Sequence, residues 1–580
     1  MKKNWKLKKF ADGNAISGSN NFDEFVKEIR SVKTKVQLPD IILKLLFLRN
    51  IKTYHEIIKF FKPTIEKLYD PFLLKDCDIA SDRIIQAIKE KEKIMIVGDY
   101  DVDGTCGASM LYLFLKSFDI EPVVYIPNRI EEGYGISDLS IETAAEDGIQ
   151  LVISVDCGIT ANEQVAIANQ KNIPVIICDH HQPPEEIPDA FAVLDPLRKD
   201  CIYPFKYLCG TGVAFKLIQA VCIKMNNKEF YKTFLDFVAI ATASDIVPIT
   251  DENRILVSEG LKTLNEKPRE SFRVLLENIG LKKGDLNTTN IVYLIAPRIN
   301  AVGRLGDAFR AVELLTSNNP EKLSELADIL NTENSKRREF DKNITEEAYK
   351  LFEEAIEPDL KHSIILHNDD WHSGVIGIVA ARLVEKYNLP SIVLTTVKGV
   401  AKGSARSING FNIYEALKKC GDLLLKFGGH YHAAGLELEL DKLEEFKKVF
   451  NQIACEEIMK HNLNPEIEID AVLTFDDITP KFKKILSFFE PFGPGNTHPV
   501  FMTKNLRIIG EQRFKNKTHL FRLRDDSNMK FFDAVFFSSE EFYGKIFRDV
   551  ICDVCYTIEK SVWNNTERYK LRIIDIIIQN

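Results

Sequence analysis

Residues 93–110 read KIMIVGDYDVDGTCGASM, and this stretch decides the fold class. Its apolar run, 94–97, has the length and β-branched content of a buried strand. Asp99, Asp101 and Asp103 follow at once, and Gly104 lets the chain turn sharply into a helix. Carboxylates two residues apart on a tight loop can converge on one point. The stretch therefore predicts a strand, an acidic loop and a helix.

Similar strands recur further along the chain. EPVVYIP (121–127), QLVISV (150–155) and IPVIIC (173–178) are short apolar runs separated by helical stretches such as ANEQVAIANQKN (161–172). Strands that alternate with helices predict a parallel sheet covered on both faces. Ligands of such sheets bind in the crevice at the carboxyl ends of the strands.

Acidic and histidine residues follow these strands where they would meet at that edge. Asp156 ends the second run, Asp179, His180 and His181 end the third, and Asp245 closes a helical run. Taken singly, an aspartate there is more often an N-cap for the next helix, and a histidine pair in a loop is usually solvated. The number of acids at equivalent positions favours a metal site instead.

Six carboxylates at one edge would repel each other unless cations neutralised them. Oxygen-rich sites with one or two imidazoles suit Mn²⁺ or Mg²⁺ better than zinc. Two such ions about 3.5–4 Å apart would clamp the attacking and leaving oxygens of a phosphoryl displacement. The sequence thus predicts a two-metal phosphoesterase centre.

The rest of the chain divides by pattern. Residues 1–75 are helical in pattern, and 321–358 read as a long charged helix or helix pair that connects two domains. A second, smaller α/β unit follows at 359–458, and short strands with polar turns at 465–580 suit a small β-barrel. The first α/β unit, with the parallel sheet, occupies 76–320.

Composition excludes some classes of protein. The chain has 580 residues and a net charge of −9, which argues against a uniformly basic nucleic-acid binder. No run of about 18 uncharged apolar residues exists, so no membrane span is expected. The N-terminus lacks the apolar stretch of a signal peptide, so a cytoplasmic protein is expected.

One segment of the last domain departs from the negative total. Residues 501–530 carry eight basic residues against three acidic ones, with Phe501, Phe514 and Phe521 among them. Basic residues that follow a backbone, with aromatic rings that stack on bases, hold single strands on OB-type barrels. Because alternation places several of these rings in a core, the basic residues carry more weight in this prediction.

The motifs together resemble the DHH phosphoesterase superfamily, and residues from about 70 to 580 resemble the RecJ single-strand-specific exonucleases. The resemblance rests on these segments, in this order: DYDVDG (99–104), VDCGI (155–159), DHH (179–181), SDIVP (244–248), PRINAVGRLGDA (297–308), WHSGVIGIVAARL (371–383), GSARS (403–407), FGGHYHAAG (427–435) and EPFGPGN (490–496). It implies that 76–320 is a DHH domain, 359–458 a DHHA1 domain and 465–580 an OB domain.

The resemblance also implies roles in the metal centre. Asp101 and Asp103 would each bind one metal, Asp156 would bridge the two, and His180 and Asp245 would complete the second site. Val97 stands where related pyrophosphatases have a histidine, and Asp99 is the expected substitute. Asp103, Asp156 and His181 are the expected catalytic residues. His181 would orient the nucleophile or a phosphate oxygen, or else support a metal ligand by a hydrogen bond.

The DHHA1 domain would face the metals across a cleft and bind phosphate. Its expected substrate ligands are His372, Ser404, Arg406, Gly428, Gly429 and His430. Glycines allow backbone N–H groups to approach a phosphate, and arginine can bind one with two hydrogen bonds. Arg298, Asn300 and Arg304 would line the passage between the domains, although capping and surface ion pairing are alternatives, above all for Arg298.

The implied function is 5′-to-3′ hydrolysis of single-stranded DNA to 5′-mononucleotides in DNA repair and recombination, with two Mn²⁺ or Mg²⁺ ions. Further implied partners are a single-strand-binding protein and a helicase. One alternative is a phosphodiesterase of the same superfamily acting on short oligonucleotides or cyclic dinucleotides. Another is a non-catalytic DNA-binding scaffold, which the retained Asp101, Asp103, Asp156, His180 and Asp245 oppose.

Overall fold

The computed structural model describes most of the chain, namely residues 4–8, 22–32, 37–128, 132–282, 284–354, 362–461, 466–514, 518–537, 546–563 and 566–579. It begins with strand β1 (Asn4–Leu7) and helices α1 (Phe22–Ser31), α2 (Asp40–Leu48) and α3 (Tyr54–Phe61). Across these ranges, every helix falls short of the length or the apolar character that a membrane span requires.

A five-stranded parallel sheet follows, in the order β3-β2-β4-β5-β6. Its strands β2, β4 and β5 are buried along their whole length, because helices cover both faces. The elements are α4 (Cys77–Glu90), β2 (Ile94–Gly98), α5 (Val102–Lys116), β3 (Val123–Tyr125), α6 (Asp138–Glu146), β4 (Leu151–Val155), α7 (Asn162–Gln170), β5 (Val175–Cys178) and β6 (Ala192–Leu194).

A layer of helices completes this domain and leads out of it. It comprises α8 (Gly210–Lys224), α9 (Leu235–Ser244), α10 (Asp251–Glu266), α11 (Glu270–Asn278), α12 (Thr288–Asn290), α13 (Ala296–Leu305) and α14 (Phe309–Thr316). Helix α15 (Pro320–Glu354) then runs unbroken for 35 residues. It packs against α13 and α14 on one side and, further along, against the next domain.

The second α/β domain has a mixed five-stranded sheet in the order β10-β11-β9-β8-β7. Only the β7–β8 pair is parallel among the pairs described in this sheet. The elements are β7 (Ile364–His367), α16 (Ile376–Tyr387), β8 (Ser391–Val397), β9 (Val400–Arg406), α17 (Ile413–Lys418), β10 (Lys426–Gly429), β11 (Ala433–Glu439) and α18 (Leu443–His461).

The last domain is a closed barrel. Its sheet has the order β13-β14-β15-β16-β18-β17, and pairing of β14 with β17 closes it. The elements are β12 (Glu466–Ile469), β13 (Ala471–Val472), α19 (Pro480–Ser487), β14 (Phe501–Arg513), β15 (His519–Asp525), β16 (Lys530–Phe536), β17 (Ile551–Trp563) and β18 (Thr566–Ile578). The predicted α/β architecture with an OB-type barrel is thereby confirmed.

The N-terminal segment belongs physically to the barrel. Phe25, Leu43 and Leu46 share one buried cluster with barrel residues such as Phe501 and Tyr556. Strand β1 also pairs in parallel with β12. The amphipathic faces of α1–α3 predict that these helices bury a surface, and the structure shows that the barrel supplies it.

An arginine joins the barrel to the first domain. Arg254 of α10 is almost fully buried, and its guanidinium donates to five backbone carbonyls. Four of these carbonyls, those of residues 488–491, follow helix α19, and the fifth is that of Phe60 in α3. Because arginine offers five N–H donors in a rigid fork, one side chain ties together three segments.

A loop beside this arginine contacts the segment that carries Asp245. The Ile249 N–H donates to the Pro494 carbonyl at 2.7 Å. A Cβ added to Gly493 would lie 2.4 Å from Ile249, so only glycine allows this approach. The EPFGPGN motif thus packs against the backbone four residues beyond Asp245.

Candidate metal centre

The carboxyl edge of the parallel sheet gathers the predicted acids. The loop after β2 supplies Asp99 and Asp101, and the first turn of α5 supplies Asp103. Asp156 follows β4, and His180 lies just beyond β5. Asp245 is the C-cap of α9, which brings it to the same edge. Strand ends that are far apart in sequence meet here, because parallel strands end on one side of a sheet.

Three overlapping groups of ligand atoms form this cluster. Within each group, one nitrogen or oxygen atom per residue lies within 4.8 Å of the others. The groups are Asp99, Asp101 and Asp156; Asp103, His180 and Asp245; and Asp156, His180 and His181. Asp156 lies 3.1 Å from His180 Nε2 through Oδ1, so the first two groups are adjacent. Two neighbouring cation positions fit this arrangement.

Buried polar atoms support the metal interpretation. Asp156 Oδ1, His180 Nε2 and Asp245 Oδ2 are buried and have no hydrogen-bond partner among the described residues. His180 Nε2 lies 3.5 Å from Asp245 Oδ2, so these atoms point at a common space. Buried polar atoms are normally hydrogen-bonded, and a bound ion is one of the recognised exceptions. The donor set of oxygens and one imidazole suits Mn²⁺ or Mg²⁺.

The electrostatics of the cluster lead to the same conclusion. Burial, and then the charge of neighbouring aspartates, raise the pKa of Asp156 and Asp245 well above the usual range. The same causes raise the pKa of Asp101. Burial and the charge of His181 lower the pKa of His180, which keeps its imidazole neutral and able to bind a cation. A cation between these groups would relieve the repulsion.

Backbone N–H groups hold the acidic loop in place. Asp101 caps α5 by accepting from the Asp103 and Gly104 N–H groups, so the capping alternative also applies to it. Asp103 accepts from the N–H groups of Gly210 and Thr211, at the start of α8. A Cβ on Gly104 would lie 2.4 Å from the backbone of Asp99. The loop can fold this tightly only with glycine at that position.

Asp156 has an unusual backbone. Its φ is +61°, in the left-handed region that aspartate enters more readily than most residues but still at a cost. A Cβ on Gly210 would lie 2.5 Å from the Asp156 side chain, so α8 begins directly against it. Strain of this kind is found at functional sites, where the surrounding structure imposes it.

Two residues hold His181: Asp179, which the sequence analysis counted among the acids of this edge without giving it a role, and Tyr134, which the sequence analysis missed. Asp179 Oδ1 lies 2.7 Å from His181 Nδ1, and the Tyr134 hydroxyl lies 3.1 Å from the same nitrogen. Although burial alone would lower it, the bond to Asp179 raises the pKa of His181 to about 9. The tyrosine lies between two glycines at φ +92° and +90°, and that Gly-Tyr-Gly pattern was the available signal.

The cleft opposite the metal cluster contains most of the predicted phosphate ligands. A cavity of about 490 Å³ is lined by Arg304, Ser404, Arg406, Gly428 and Gly429, with Tyr100 and Tyr134 from the first domain. Arg406 Nη1 donates to Ser404 Oγ at 3.0 Å. The His430 ring lies nearly parallel to the ring of His181, with centroids 6.4 Å apart. Through His430, the second α/β domain therefore reaches His181 at the edge of the metal cluster.

The other three predicted substrate ligands make contacts within the protein. Asn300 Oδ1 accepts from the Val102 N–H at 3.0 Å, which supports the acidic loop from behind. Arg298 donates to Asn331 and to the Leu294 carbonyl. His372 Nδ1 accepts from the Gly374 N–H. Asn300 thus positions the loop, a role that its spacing in sequence does not reveal.

The models of three known domain families match consecutive parts of the chain. "DHH family, N-terminal domain" matches residues 93–242, "DHHA1 domain" matches 360–456, and "RecJ OB domain" matches 469–575. These matches fall on the parallel sheet, the mixed sheet and the barrel.

Curated and solved relatives agree with these matches. The chain is 34% identical over 555 residues to the single-stranded-DNA-specific exonuclease RecJ of Bacillus subtilis, covering 95% of this chain and 70% of the relative. RecJ of Thermus thermophilus, solved with Mn²⁺, has a TM-score of 0.81 at 24% identity and covers 100% of this chain and 80% of that one. Another RecJ exonuclease, solved bound to manganese, has a TM-score of 0.58 at 30% identity, with coverages of 66% and 95%.

Proposed function

The chain belongs to the RecJ family of single-stranded-DNA-specific exonucleases, and we propose that it degrades single-stranded DNA from the 5′ end to 5′-mononucleotides. The observation that carries this proposal is the set of buried atoms on Asp156, His180 and Asp245 that have no hydrogen-bond partner among the described residues. A cleft of about 490 Å³, lined by Ser404, Arg406 and two glycines, lies across from them. Such an exonuclease would serve DNA repair and recombination.

Two ions, Mn²⁺ or Mg²⁺, belong to this centre. Asp99, Asp101 and Asp156 would hold one ion, while Asp103, His180 and Asp245 would hold the other with Asp156 shared. Asp99 then takes the place left by Val97, which is fully buried in the core of the sheet. When bound, the ions supply activation of the attacking water and neutralise charge on the phosphodiester.

The protein's own residues orient the substrate. The Asp179 carboxylate fixes His181 through Nδ1, so the other ring nitrogen is available to donate to a phosphate oxygen. Arg406 and the backbone N–H groups near Gly428 and Gly429 bind a second phosphate across the cleft. This two-point attachment holds one internucleotide bond at the metals while the rest of the strand lies outside.

End-labelled substrates test direction and strand selectivity. Oligonucleotides of about 30 nucleotides, with a label at the 5′ or the 3′ end, are given as single strands and duplexes with Mn²⁺, Mg²⁺ or a chelator. A 5′ label should leave at once as a mononucleotide, whereas a 3′ label should mark a shortening ladder, only on single strands and only with metal. Release of the 3′ label first would refute the proposed direction.

A substrate series separates this function from the alternative phosphodiesterase. The same protein is given long single strands, dinucleotides and a cyclic dinucleotide at equal concentration. The exonuclease proposal expects the highest kcat/KM for the long strand, because the barrel adds binding there. Preference for the dinucleotides would favour the alternative. Deleting the barrel is a poor test, since α1–α3 would lose the surface that buries them.

Arg406 offers a test of the cleft. Arg406→Ala should lower kcat/KM by a factor that corresponds to about 1.5–3 kcal/mol of lost transition-state stabilisation, the range for a hydrogen bond to a charged group. Arg273→Ala is the matched control, because Arg273 lies on the surface of α11 in pairs with Glu270 and Glu277. Unchanged kinetics for Arg406→Ala would remove this residue from the substrate site.

Further partners follow from the same activity. We expect a helicase that supplies unwound strands and a single-strand-binding protein that covers them, both in the cytoplasm. Co-purification of the chain with either protein on single-stranded DNA, compared with duplex DNA, tests this expectation. Equal recovery on both would contradict it.

A further inference from the structure

The segment that follows Asp245 has a strained backbone. Ile246 has a φ of +61°, in the left-handed region, where a β-branched residue is a clear outlier. Its side chain is 77% exposed, so burial of that side chain does not offset the cost. A conformation of this kind persists only where the surrounding structure imposes it. Because Asp245 directly precedes Ile246, whatever holds this segment also holds a proposed metal ligand.

Asn253 holds this segment from one side. It lies in the first turn of α10 and is fully buried. Its Nδ2 donates to the Pro248 carbonyl at 3.0 Å, three residues beyond Asp245. The same nitrogen donates to the Tyr207 carbonyl at 2.6 Å. Both protons of the amide are thereby used, so one side chain joins two backbone segments.

The second of these backbone segments leads to another proposed ligand. The chain runs from Tyr207 directly into α8, whose first two N–H groups donate to the two carboxylate oxygens of Asp103 at 2.6 and 2.8 Å. Asp103 and Asp245 belong to the same group of candidate ligands. Asn253 therefore bridges the two backbone segments that place the two acids of one cation position.

The EPFGPGN loop, residues 490–496, holds the segment after Asp245 from the other side. Its Pro494 carbonyl accepts from the Ile249 N–H at 2.7 Å. A Cβ added to Gly493 would lie 2.4 Å from Cγ1 of Ile249, which is itself buried. The loop and the segment are thus in contact through both a hydrogen bond and close packing, with no space for either to shift.

The EPFGPGN loop is anchored on the same helix as Asn253. Arg254, the next residue of α10, donates to the carbonyls of residues 488–491, where the loop begins. Asn496, at the end of the loop, is buried, and its Nδ2 donates to two of these carbonyls at 2.8 and 2.9 Å. Buried side chains therefore fix the shape of the loop at both ends, which makes it a rigid support.

We propose that Asn253 and the EPFGPGN loop form a clamp that holds residues 245–249 in their strained conformation and so positions Asp245 for a cation. The inference rests on the proposed role of Asp245 in the metal centre. Both parts of the clamp act through Asp245, so they are positioning elements. Without them, the backbone at Ile246 would relax to a negative φ and turn Asp245 away from Asp103. The last domain, which supplies the loop, thereby sets the affinity of a metal site in the first domain.

Binding of Mn²⁺ without substrate tests the clamp. The electron paramagnetic resonance signal of free Mn²⁺ is followed as the full chain is added, which gives the number and affinity of bound ions without turnover. Asn253→Ala should weaken binding of one ion by about 10–100-fold, the usual effect of removing a residue that orients metal ligands. Asn265→Ala is the matched control, since Asn265 of the same helix also donates to two carbonyls, those of Leu261 and Leu286. Equal losses in both variants would overturn the clamp.

A glycine variant tests the loop independently of Asn253. The methyl group of Gly493→Ala would displace Ile249, so the same ion should bind at least about tenfold more weakly. Gly510→Ala is the control in the same domain, because a Cβ at that position would have no described atom within 4 Å. Unchanged Mn²⁺ binding in a Gly493→Ala protein that is folded by circular dichroism would overturn the role of the loop.

Rescue separates positioning from general destabilisation. Asparagine enters the left-handed region more readily than isoleucine, so Ile246→Asn removes strain that the clamp opposes. Added to Asn253→Ala, it should restore Mn²⁺ affinity by about threefold or more. A double variant no better than Asn253→Ala alone would overturn the role of strain.

Asp245→Asn separates the clamp from the metal assignment on which it rests. This variant should lose affinity for the same ion, because it lacks the ligand itself. If it bound both ions at full affinity, the proposed ligand role of Asp245 would fail, and the clamp with it. If it lost an ion while Asn253→Ala and Gly493→Ala did not, only the clamp would fail and the metal centre would stand.

Discussion

The acidic edge of the parallel sheet and the outer face of the barrel hold their charges in opposite ways. At the edge, Asp103 and Asp156 are buried beside other aspartates, and the ion-pair partners described for them are histidines. On the barrel, Arg522 and Arg572 are half-exposed and already paired with carboxylates. The first region concentrates charge of one sign, and the second balances both signs.

This difference predicts how each region responds to its ligand. Buried like charges repel strongly in a low dielectric, so the acidic edge has a high energy until a cation neutralises it. Exposed opposite charges are screened by water and salt, so the barrel face can change partners at small cost. Catalysis should therefore depend steeply on metal, whereas strand binding should not require it.

The largest effect should come from Asp156. Asn keeps the left-handed backbone that this position needs but removes the charge that two ions would share. Asp156→Asn should lower Mn²⁺-dependent hydrolysis at least about a thousandfold, since metal stabilisation is worth several kcal/mol. Strand binding in chelator should stay within about twofold of the unsubstituted protein, because the substitution leaves the residues of the barrel unchanged.

Asp195→Asn is the matched control for that variant. Asp195 is also a buried aspartate at the carboxyl end of a strand, β6, but it lies outside the three candidate ligand groups. Its variant should cleave at close to the unsubstituted rate. If Asp195→Asn lost as much activity as Asp156→Asn, general disturbance of the sheet edge would explain both.

A smaller effect should come from Arg254, which joins the first α/β domain to the barrel domain. Arg254→Gln removes a guanidinium that donates to five carbonyls of α3 and the segment after α19. The free energy of unfolding should fall by about 3 kcal/mol, because buried carbonyls lose their donor. Denaturant unfolding measures this. Arg273→Gln, which breaks only surface ion pairs, should change it by less than about 1 kcal/mol.

The two regions also differ in what the sequence reveals. The strands β2, β4 and β5 could be predicted from apolar runs, and the ends of parallel strands must share one edge, so the grouping of Asp101, Asp156 and His180 followed. Alternation in the barrel strands predicted that several rings of 501–530 lie in the core, but it did not say which ones. Phe501 and Phe521 face the core, while Phe514 and Phe531 are exposed to water, a choice that barrel closure makes.

Individual contacts between residues far apart in sequence could not be predicted from the sequence either. Asn300 reaches the Val102 N–H across 198 residues, and Tyr134 approaches His181 across 47. Helices α1–α3 bury an apolar face whose partner lies more than 400 residues away. Periodicity shows that such a face is buried, but the identity of its partner depends on the tertiary fold.

The smallest of these effects concerns the stability of the metal-free edge. The raised pKa of Asp245 means that the folded protein binds its proton more tightly than the unfolded chain does. The free energy of unfolding of the chelated protein should therefore fall as the pH rises above the ordinary pKa of an aspartate.

The substitution Asp245→Asn removes one repelling charge, so it should stabilise the chelated protein at pH 8 by about 1–2 kcal/mol and flatten this pH dependence. Mn²⁺ should stabilise the unsubstituted protein more than the variant, because the variant has lost a ligand. Thermal unfolding at pH 6 and pH 8, with chelator and with Mn²⁺, measures all three. A variant that is less stable than the unsubstituted protein in chelator would show that Asp245 serves the fold and not the metal, and the contrast between the acidic edge and the barrel would then no longer hold at this residue.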